Sequence, residues 1–417
     1  MMTFNEAYVW IWLPNEVDPV VAGKLKADGN NLLFNYGQSY LQRINDDMAA
    51  IPIYDPELPL KSGILPLLDG LSMPGCIRDG APDAWGRRVI INKQLGLRGS
   101  NTDTTLLNEL TYLLESGSDR IGALDFQRSA SEYVPRGGGN ITLEELISSA
   151  ERVEKGIALT PELDMALYHG SAIGGARPKA LIESDDRKYI AKFSSTADLY
   201  SVVKAEFIAM RLAKLAGLDV ASVKLETVLN KDVLLIERFD RQYTKQGWRR
   251  KSIVSVLTIF ELDDMMARYA SYEALAEIIR YRFSKPKETL KELFSRLTFN
   301  ILCGNTDDHA RNHAAFWDGR ELSLTPAYDI CPQSRSGNEA SQAMMISGNN
   351  NLSQLRVCVN AAPAFLLSQK EVDLIIEEQI EIIQVNWDKV CDEARLGSVD
   401  KKLFWKRQFL NPYAFNN

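Results

Sequence analysis

The spacing of hydrophobic and polar positions changes several times along this chain. Tyr8-Val9-Trp10-Ile11-Trp12-Leu13 is a run of strand formers, and Asp28-Gly29-Asn30-Asn31 is a turn signal ahead of Leu32-Leu33-Phe34. Residues 1–60 therefore read as short strands joined by turns. Helical spacing takes over at 81–99 and again around 101–116. Pro135-Arg136-Gly137-Gly138-Gly139-Asn140 breaks every period and reads as a linker. Thr142-x-x-Glu145 directly after it has the form of a helix-starting capping box. A first boundary is placed near residue 140.

Thr160-Pro161 marks the next helix start, because proline suits the first helical position. A glycine-containing loop, His169-Gly170-Ser171-Ala172-Ile173-Gly174-Gly175-Ala176-Arg177-Pro178-Lys179, follows it. Two strand-like runs, 180–183 and 189–193, flank Asp185-Asp186 and read as a hairpin. Val203, Phe207, Met210 and Leu215 predict a helix over 199–216 that stops at Gly217. Strands are expected around 221–229 and 232–238. From about residue 250 the pattern is mostly helical. Leu290, Leu293, Phe294, Leu297, Ile301 and Leu302 form one apolar stripe, and Ser368-x-x-Glu371 caps a long helix rich in Ile and Glu. The polar stretch Ser334–Ser353 is expected to be a mobile loop.

Composition narrows the class. Of the 417 residues, 45% are hydrophobic and 25% charged, which excludes a largely disordered chain and suits two or three domains. The net charge of −7 argues against a broad nucleic-acid-binding face. Five scattered cysteines, Cys76, Cys303, Cys331, Cys358 and Cys391, form no CxxC pair, so neither a zinc site nor a disulfide framework is expected. No apolar run approaches the roughly 20 residues that span a bilayer. The first residues have no basic n-region, and their apolar run ends at Pro14 and Glu16. A cytoplasmic protein with no membrane attachment is the expectation.

The strongest chemical signal is Gly304-Asn305-Thr306-Asp307-Asp308-His309-Ala310-Arg311-Asn312-His313. Asp307 and Asn312 stand at the D-x4-N spacing of kinase-type phosphoryl transfer, in which the Asp takes the hydroxyl proton and the Asn holds a metal ion. Downstream, Leu324-Thr325-Pro326-Ala327-Tyr328-Asp329-Ile330 puts Asp329 where a kinase has its second metal ligand. Upstream, the Ser171–Lys179 loop offers backbone N–H groups to phosphate oxygens, Gly174, Gly175 and Ala176 among them. Lys192 lies on the second hairpin strand, where a kinase places its phosphate-pairing lysine, and Glu206 lies on the next helix as its expected partner. Leu235–Arg241 is the expected connector that reads adenine. Each part alone has a bland reading: a turn-rich loop, a tight turn, a solvent-facing lysine, a surface glutamate. Their order is the discriminating feature. His309 and His313, spaced i, i+4, lack a visible third metal ligand, and His309 is expected to pack beneath the loop and orient Asp307. Cys303 and Cys331 flank the site and are expected to act as small apolar residues.

GNTDDHARNH followed by LTPAYDI resembles the signature of HipA-like serine/threonine kinases, the toxin halves of bacterial type II toxin–antitoxin modules. SAIGGARPKALI resembles the serine-bearing phosphate loop of that family, IERFDR its connector, and RIGALDF at Arg120–Phe126 a segment near the end of its N-terminal domain. The resemblance implies an α+β, protein-kinase-like two-lobed fold, with a small β-rich lobe, a larger helical lobe and an extra N-terminal α/β subdomain. The corresponding divisions are 1–140, 141–240 and 241–417.

It also implies that Asp307 is catalytic, that Asn312 and Asp329 bind Mg²⁺, and that Lys192 and the loop ending at Lys179 contact the phosphates of ATP. Glu237 and Phe239 would lie at the adenine pocket, and Ser171 would be the autophosphorylated serine. The implied partners are a HipB-type helix-turn-helix antitoxin and a protein substrate such as an aminoacyl-tRNA synthetase, with DNA reached only through the antitoxin. Two departures stand out. Gly175-Ala176-Arg177-Pro178-Lys179 replaces a Gly-Ala-Gln-Glu-Lys loop, and Asp308 replaces a glycine common after the catalytic Asp. The rival readings are a non-catalytic pseudokinase that binds an antitoxin and corepresses, and a small-molecule kinase.

Overall fold

A computed structural model describes residues 4–43, 49–96, 103–137, 142–154, 177–194, 198, 200–335, 337 and 339–416. Ser171, Gly174, Gly175, Ala176 and the expected helix start at Thr160-Pro161 lie outside the described residues. The chain divides into two compact units: Met1–Ala197 with Thr227–Val254 and Trp317–Arg320, and Asp198–Glu226 with Ser255–Phe316 and Glu321–Asn417. Helices of seven residues or more are numbered below.

The first unit opens on an antiparallel sheet with strand order β4-β3-β2-β1-β5: β1 (Glu6–Ile11), β2 (Val20–Asp28), β3 (Asn31–Tyr36), β4 (Ile64–Leu65) and β5 (Leu124–Gln127). The predicted strand at 8–13 is β1, and the predicted turn at 28–31 joins β2 to β3 through Gly29, whose φ of 58° suits glycine. Helices α1 (Ala84–Leu95) and α2 (Glu109–Glu115) fall within the predicted helical stretches. The capping box then starts α3 (Leu143–Glu154): Glu145 N donates to Thr142 Oγ1 at 3.2 Å, and Thr142 N donates to Glu145 Oε2 at 2.9 Å.

A second group of strands follows. β6 (Lys179–Ser184) and β7 (Arg187–Phe193) are the predicted hairpin; β8 (Val223–Val228) and β9 (Lys231–Glu237) are the two further predicted strands, and β9 pairs antiparallel with the other edge of β7. One core binds this sheet to the helices before it. Trp85 and Val89 of α1 and Leu146, Ile147 and Ala150 of α3 pack with Ala180, Tyr189, Ala191, Phe193, Val233 and Leu235. Residue 140 is thus a change of sequence pattern across which one core is continuous.

The second unit is mostly helical. It holds α4 (Val202–Leu215), α5 (Tyr272–Arg282), α6 (Pro286–Cys303), α7 (Leu355–Ala361), α8 (Gln369–Glu393) and α9 (Ser398–Phe404). The predicted stripe of α6 is fully buried at all six positions. Thr298 of α6 donates to Gln379 of α8 at 2.9 Å, and the predicted capping box at Ser368 and Glu371 starts α8.

Two expectations change. The helical lobe is expected from 241 and the helical pattern from about 250, but 241–255 forms β10 (Arg241–Thr244), β11 (Gly247–Arg250) and β12 (Ser252–Ser255). Lys245-Gln246 makes the turn, Gly247 leaves it at φ 135°, and the rings of Tyr243 and Trp248 meet edge-on across the pair with centroids 5.2 Å apart. Arginines and lysines in the stretch hid that alternation. The polar stretch 334–353 was expected to be mobile, yet much of it is tied down. Met344 and Ile346 are fully buried, Gln342 N donates to Asn351 O at 2.7 Å, and Met345 N donates to Ala270 O at 3.0 Å. Two apolar residues on one face outweigh a polar neighbourhood.

Candidate active site

Helix α6 delivers the D-x4-N loop. The helix ends at Gly304, in the left-handed region at φ 74°, and a Cβ there would stand 2.7 Å from Gln408 O, so both conformation and space demand glycine. Asn305 closes the cap, its N–H donating to Asn300 O at 2.8 Å and its side chain to Asn300 Oδ1 at 3.0 Å. Asp307 follows with an exposed side chain, and its carboxylate takes no hydrogen bond among the described residues. Its main-chain oxygen accepts from His309 N at 2.9 Å and from Asn312 Nδ2 at 3.1 Å. That second bond turns the amide of Asn312 so that Oδ1 remains as its acceptor.

Asp329 reaches the same loop through two ties. Tyr328 Oη donates to Arg311 O at 2.7 Å, and Gln333 N donates to Gly304 O at 3.0 Å. Asp329 lies between those ties with φ 59°, a conformation that non-glycine residues seldom adopt and that marks functional positions more often than ordinary loops. The candidate metal donors are thus a carboxylate and an amide oxygen, a hard all-oxygen pair that fits Mg²⁺. Among the described residues no group of three His, Cys, Asp or Glu is placed to hold a metal ion.

Beneath the loop sits a buried polar cluster. Nε2 of His313 donates to Oδ2 of Asp308 at 3.0 Å, and the Tyr272 hydroxyl donates to the same oxygen. His313, not His309, is therefore the histidine bonded under the loop. His309 is joined to Asp307 through its N–H, and its ring Nδ1, like that of His313, is buried with no hydrogen-bond partner among the described residues. The same cluster accounts for Asp308, which is buried structure rather than a second carboxylate facing solvent. Burial pushes the Cys303 thiol up to about 12, as befits an apolar packing residue.

The first unit carries the remaining candidates. Lys179 and Lys192 are directly opposed on β6 and β7, and Phe193 N donates to Pro178 O at 3.2 Å. That bond makes the lysines a non-hydrogen-bonded pair, the arrangement in which facing side chains stand closest. Both are buried, at 4% and 9% exposure. Two opposed, buried ammonium groups need anions near them. Pro178 costs the sheet nothing, because only its carbonyl is used.

Glu237 closes β9 opposite Tyr189, and Arg238 N donates to Lys188 O at 2.8 Å, so the N–H and C=O of Glu237 point away from β7. Its carboxylate takes Arg187 at 3.0 Å. Phe239 follows it in the connector. Glu206, on α4 of the second unit, is nearly fully buried and so cannot be the surface glutamate of the bland reading.

Sequence reasoning missed one large feature. IERFDR and RIGALDF interlock. Arg238 forks onto Asp240 at 2.9 and 2.7 Å and reaches Asp119 Oδ1 at 3.0 Å. Arg241 bonds Asp240 Oδ2 at 2.8 Å, Asp119 Oδ1 at 3.0 Å and Gly122 O at 2.9 Å. Gly122 N donates to Asp240 at 2.8 Å, and Arg120 pairs with Asp125 at 2.8 Å. Burial alone would raise Asp119, but the charges of Arg238 and Arg241, then Lys188 and Arg250, hold it well below the ordinary carboxylate value. Burial and the neighbouring Arg238 bring Arg241 down to about 10, still charged near neutral pH. The visible signal was a set of charges inside otherwise apolar runs.

Comparisons with known proteins agree with these motifs. The model of the HipA-like C-terminal domain matches residues 171–387. A protein of Sinorhizobium fredii named "Putative kinase Y4mE" is 28% identical over 153 residues, 34% of this chain and 33% of that one. The serine/threonine-protein kinase toxin HipA of Shewanella oneidensis is 25% identical over 254 residues, 54% of this chain and 56% of that one. These alignments span between a third and just over half of the relatives' own lengths. A chain from the solved Shewanella oneidensis complex of HipA, HipB and operator DNA superposes with a TM-score of 0.69 at 20% identity, over 98% of this chain and 95% of that chain, which shows the α+β kinase-type fold. The family model covers more than half of the sequence, and it takes in the glycine loop, the connector, the D-x4-N loop and Asp329; the chain belongs to the HipA-like kinase family.

Proposed function

We propose that this protein is an ATP- and Mg²⁺-dependent serine/threonine protein kinase that acts as the toxin of a toxin–antitoxin module. The observation that carries the reading is the D-x4-N loop. Asn312 is bonded through Nδ2 to the main chain of Asp307, and Asp329 is tied beside the same loop in a left-handed conformation. Asp307, exposed and with no hydrogen bond to its carboxylate among the described residues, orients the attacking hydroxyl of a Ser or Thr and takes its proton as the oxygen bonds to the γ-phosphorus and the bond to ADP breaks. Asn312 Oδ1 and the Asp329 carboxylate hold Mg²⁺, which when bound neutralises charge on the phosphates. Lys192 and Lys179 supply fixed positive charge to the phosphates, supported by their burial as an opposed pair. Glu206 orients Lys192. Gly174, Gly175 and Ala176 give backbone N–H groups to phosphate oxygens, and Glu237 and Phe239 line the adenine pocket.

Ser171 is the proposed site of autophosphorylation. Phosphate there adds about −1.5 to −2 charge, which repels the phosphates of ATP and switches the enzyme off. A HipB-type antitoxin is the proposed partner, supported by the assembly in which the structurally similar chain was solved. A translation component such as an aminoacyl-tRNA synthetase is the proposed substrate, in the cytoplasm. The described residues contain no helix long and apolar enough to cross a membrane.

Intact-mass spectrometry after incubation with ATP and Mg²⁺ tests the reading. Wild type should gain one phosphate, mapped to Ser171, and Asp307→Asn should slow the gain by about 10²–10⁴-fold, the worth of a positioned base. ATP binding without any transfer, to itself or to a proteome extract, would leave a non-catalytic binding module.

A further inference from the structure

The catalytic loop is closed by two residues that the proposed chemistry does not use. Asp308 follows Asp307, and His313 follows Asn312. Their side chains meet beneath the loop at 3.0 Å, with exposures of 3% and 2%. The Tyr272 hydroxyl donates to the same Asp308 oxygen, and its ring meets the imidazole edge-on, with centroids 5.6 Å apart. We propose that Asp308, His313 and Tyr272 are positioning residues that set Asp307 and Asn312 in register. The proposal rests on the kinase reading of those two residues.

The case is geometric. The Asp307 carboxylate takes no hydrogen bond or ion pair among the described residues, so its direction follows that of its main chain. Between Asp307 and Asn312 the only regular structure is a single 3-10 turn, Ala310–Asn312. Such a loop has little stiffness of its own. The Asp308–His313 bond joins the residue after the base to the residue after the metal ligand, and so removes the freedom that the turn leaves.

The far sides of the bond are fixed. Tyr272 opens α5, its N–H donates to Met345 O at 2.9 Å, and Ser271 caps the helix by accepting from Ala274 N at 3.2 Å. His313 O accepts from Val256 N at 2.8 Å. A buried carboxylate is costly unless its donors are present, so the cluster holds one arrangement or none.

The test measures hydrogen exchange over residues 304–314 and steady-state kinetics on the same full-length variants. Asp308→Ala should speed exchange in the loop and lower kcat by about 100-fold, the scale of a small misplacement of a catalytic group, with KM for ATP within about 2-fold of wild type. His313→Ala should show a similar loss, and His313→Gln, which keeps a donor to Asp308, should recover most of it. Thr298→Val removes a buried hydrogen bond elsewhere in the same unit. It controls for stability and should leave loop exchange and kcat near wild type. A kcat loss in Asp308→Ala that Thr298→Val matches, or unchanged loop exchange, would overturn the proposal. Loss of the kinase reading shows separately, as transfer by Asp307→Asn equal to wild type. In that case the exchange data alone decide whether the cluster fixes the loop.

Discussion

In the first unit, two arginines, Arg238 and Arg241, hold the neighbouring Asp240 through three charge-assisted hydrogen bonds and reach Asp119, about 120 residues away in sequence, through two more. In the second, one carboxylate, Asp308, takes a hydroxyl and an imidazole, and its imidazole partner is five residues away. Both networks are buried beside candidate site residues. They do different work. The arginine network joins two distant segments, one of which carries Glu237 and Phe239, so it is a device of tertiary structure. The Asp308 cluster bridges one short loop, so it is a device of local geometry. Guanidinium forks suit the first task because they can satisfy several carboxylate and carbonyl oxygens at once. A single shared oxygen suits the second, because only a small shift of backbone has to be prevented.

The comparison is most easily broken at Asp240. Asp240→Ala leaves Arg238 and Arg241 buried beside fewer anions and should cost about 3–5 kcal/mol of stability, read by denaturant unfolding. If both networks were of the local kind, the loss would be much smaller. Asp308→Ala should cost about 1–3 kcal/mol on the same assay, the usual penalty for stranding buried polar partners, while its effect on kcat is proportionally greater.

Acid sharpens the contrast. The folded values of Asp119, Asp125 and Asp240 are held below the ordinary carboxylate value, in each case against burial and by arginine charges. Their stabilisation is therefore fully present above the unfolded value of about 3.9 and is lost as pH falls below it through the folded values. Melting measured from pH 5 down to pH 2 should show a steep loss that Asp119→Asn makes shallower. The smallest effect is expected at Arg311–Asp264, a partly exposed pair at the loop's outer face. Arg311→Gln should change stability by about 0.2–1 kcal/mol, less at high salt, as unfolding in low and high salt would show.

The helical stripe of α6, the two capping boxes, the 185–186 hairpin and the order of the candidate site residues were all legible along the chain, because each depends on neighbours within a few turns or on a short fixed spacing. Asp307, Asn312 and Asp329 could be named from spacing alone. What spacing could not supply is which histidine lies under the loop: His309 and His313 are equivalent on paper, and only the position of Tyr272, 41 residues before His313, selects one.

The strands at 241–255 and the anchored loop at 334–353 were misread for a related reason. Their charged and polar residues obscure a few apolar anchors whose partners are remote in sequence. The sequence by itself determined most of the elements, the family and the candidate chemistry, since periodicity, capping and motif order are local properties. Tertiary structure decided the rest: that Lys179 and Lys192 face each other, that IERFDR locks onto RIGALDF, and that Asp308 is buried. Burial and long-range pairing are set by which surfaces meet, and a linear pattern does not carry that information.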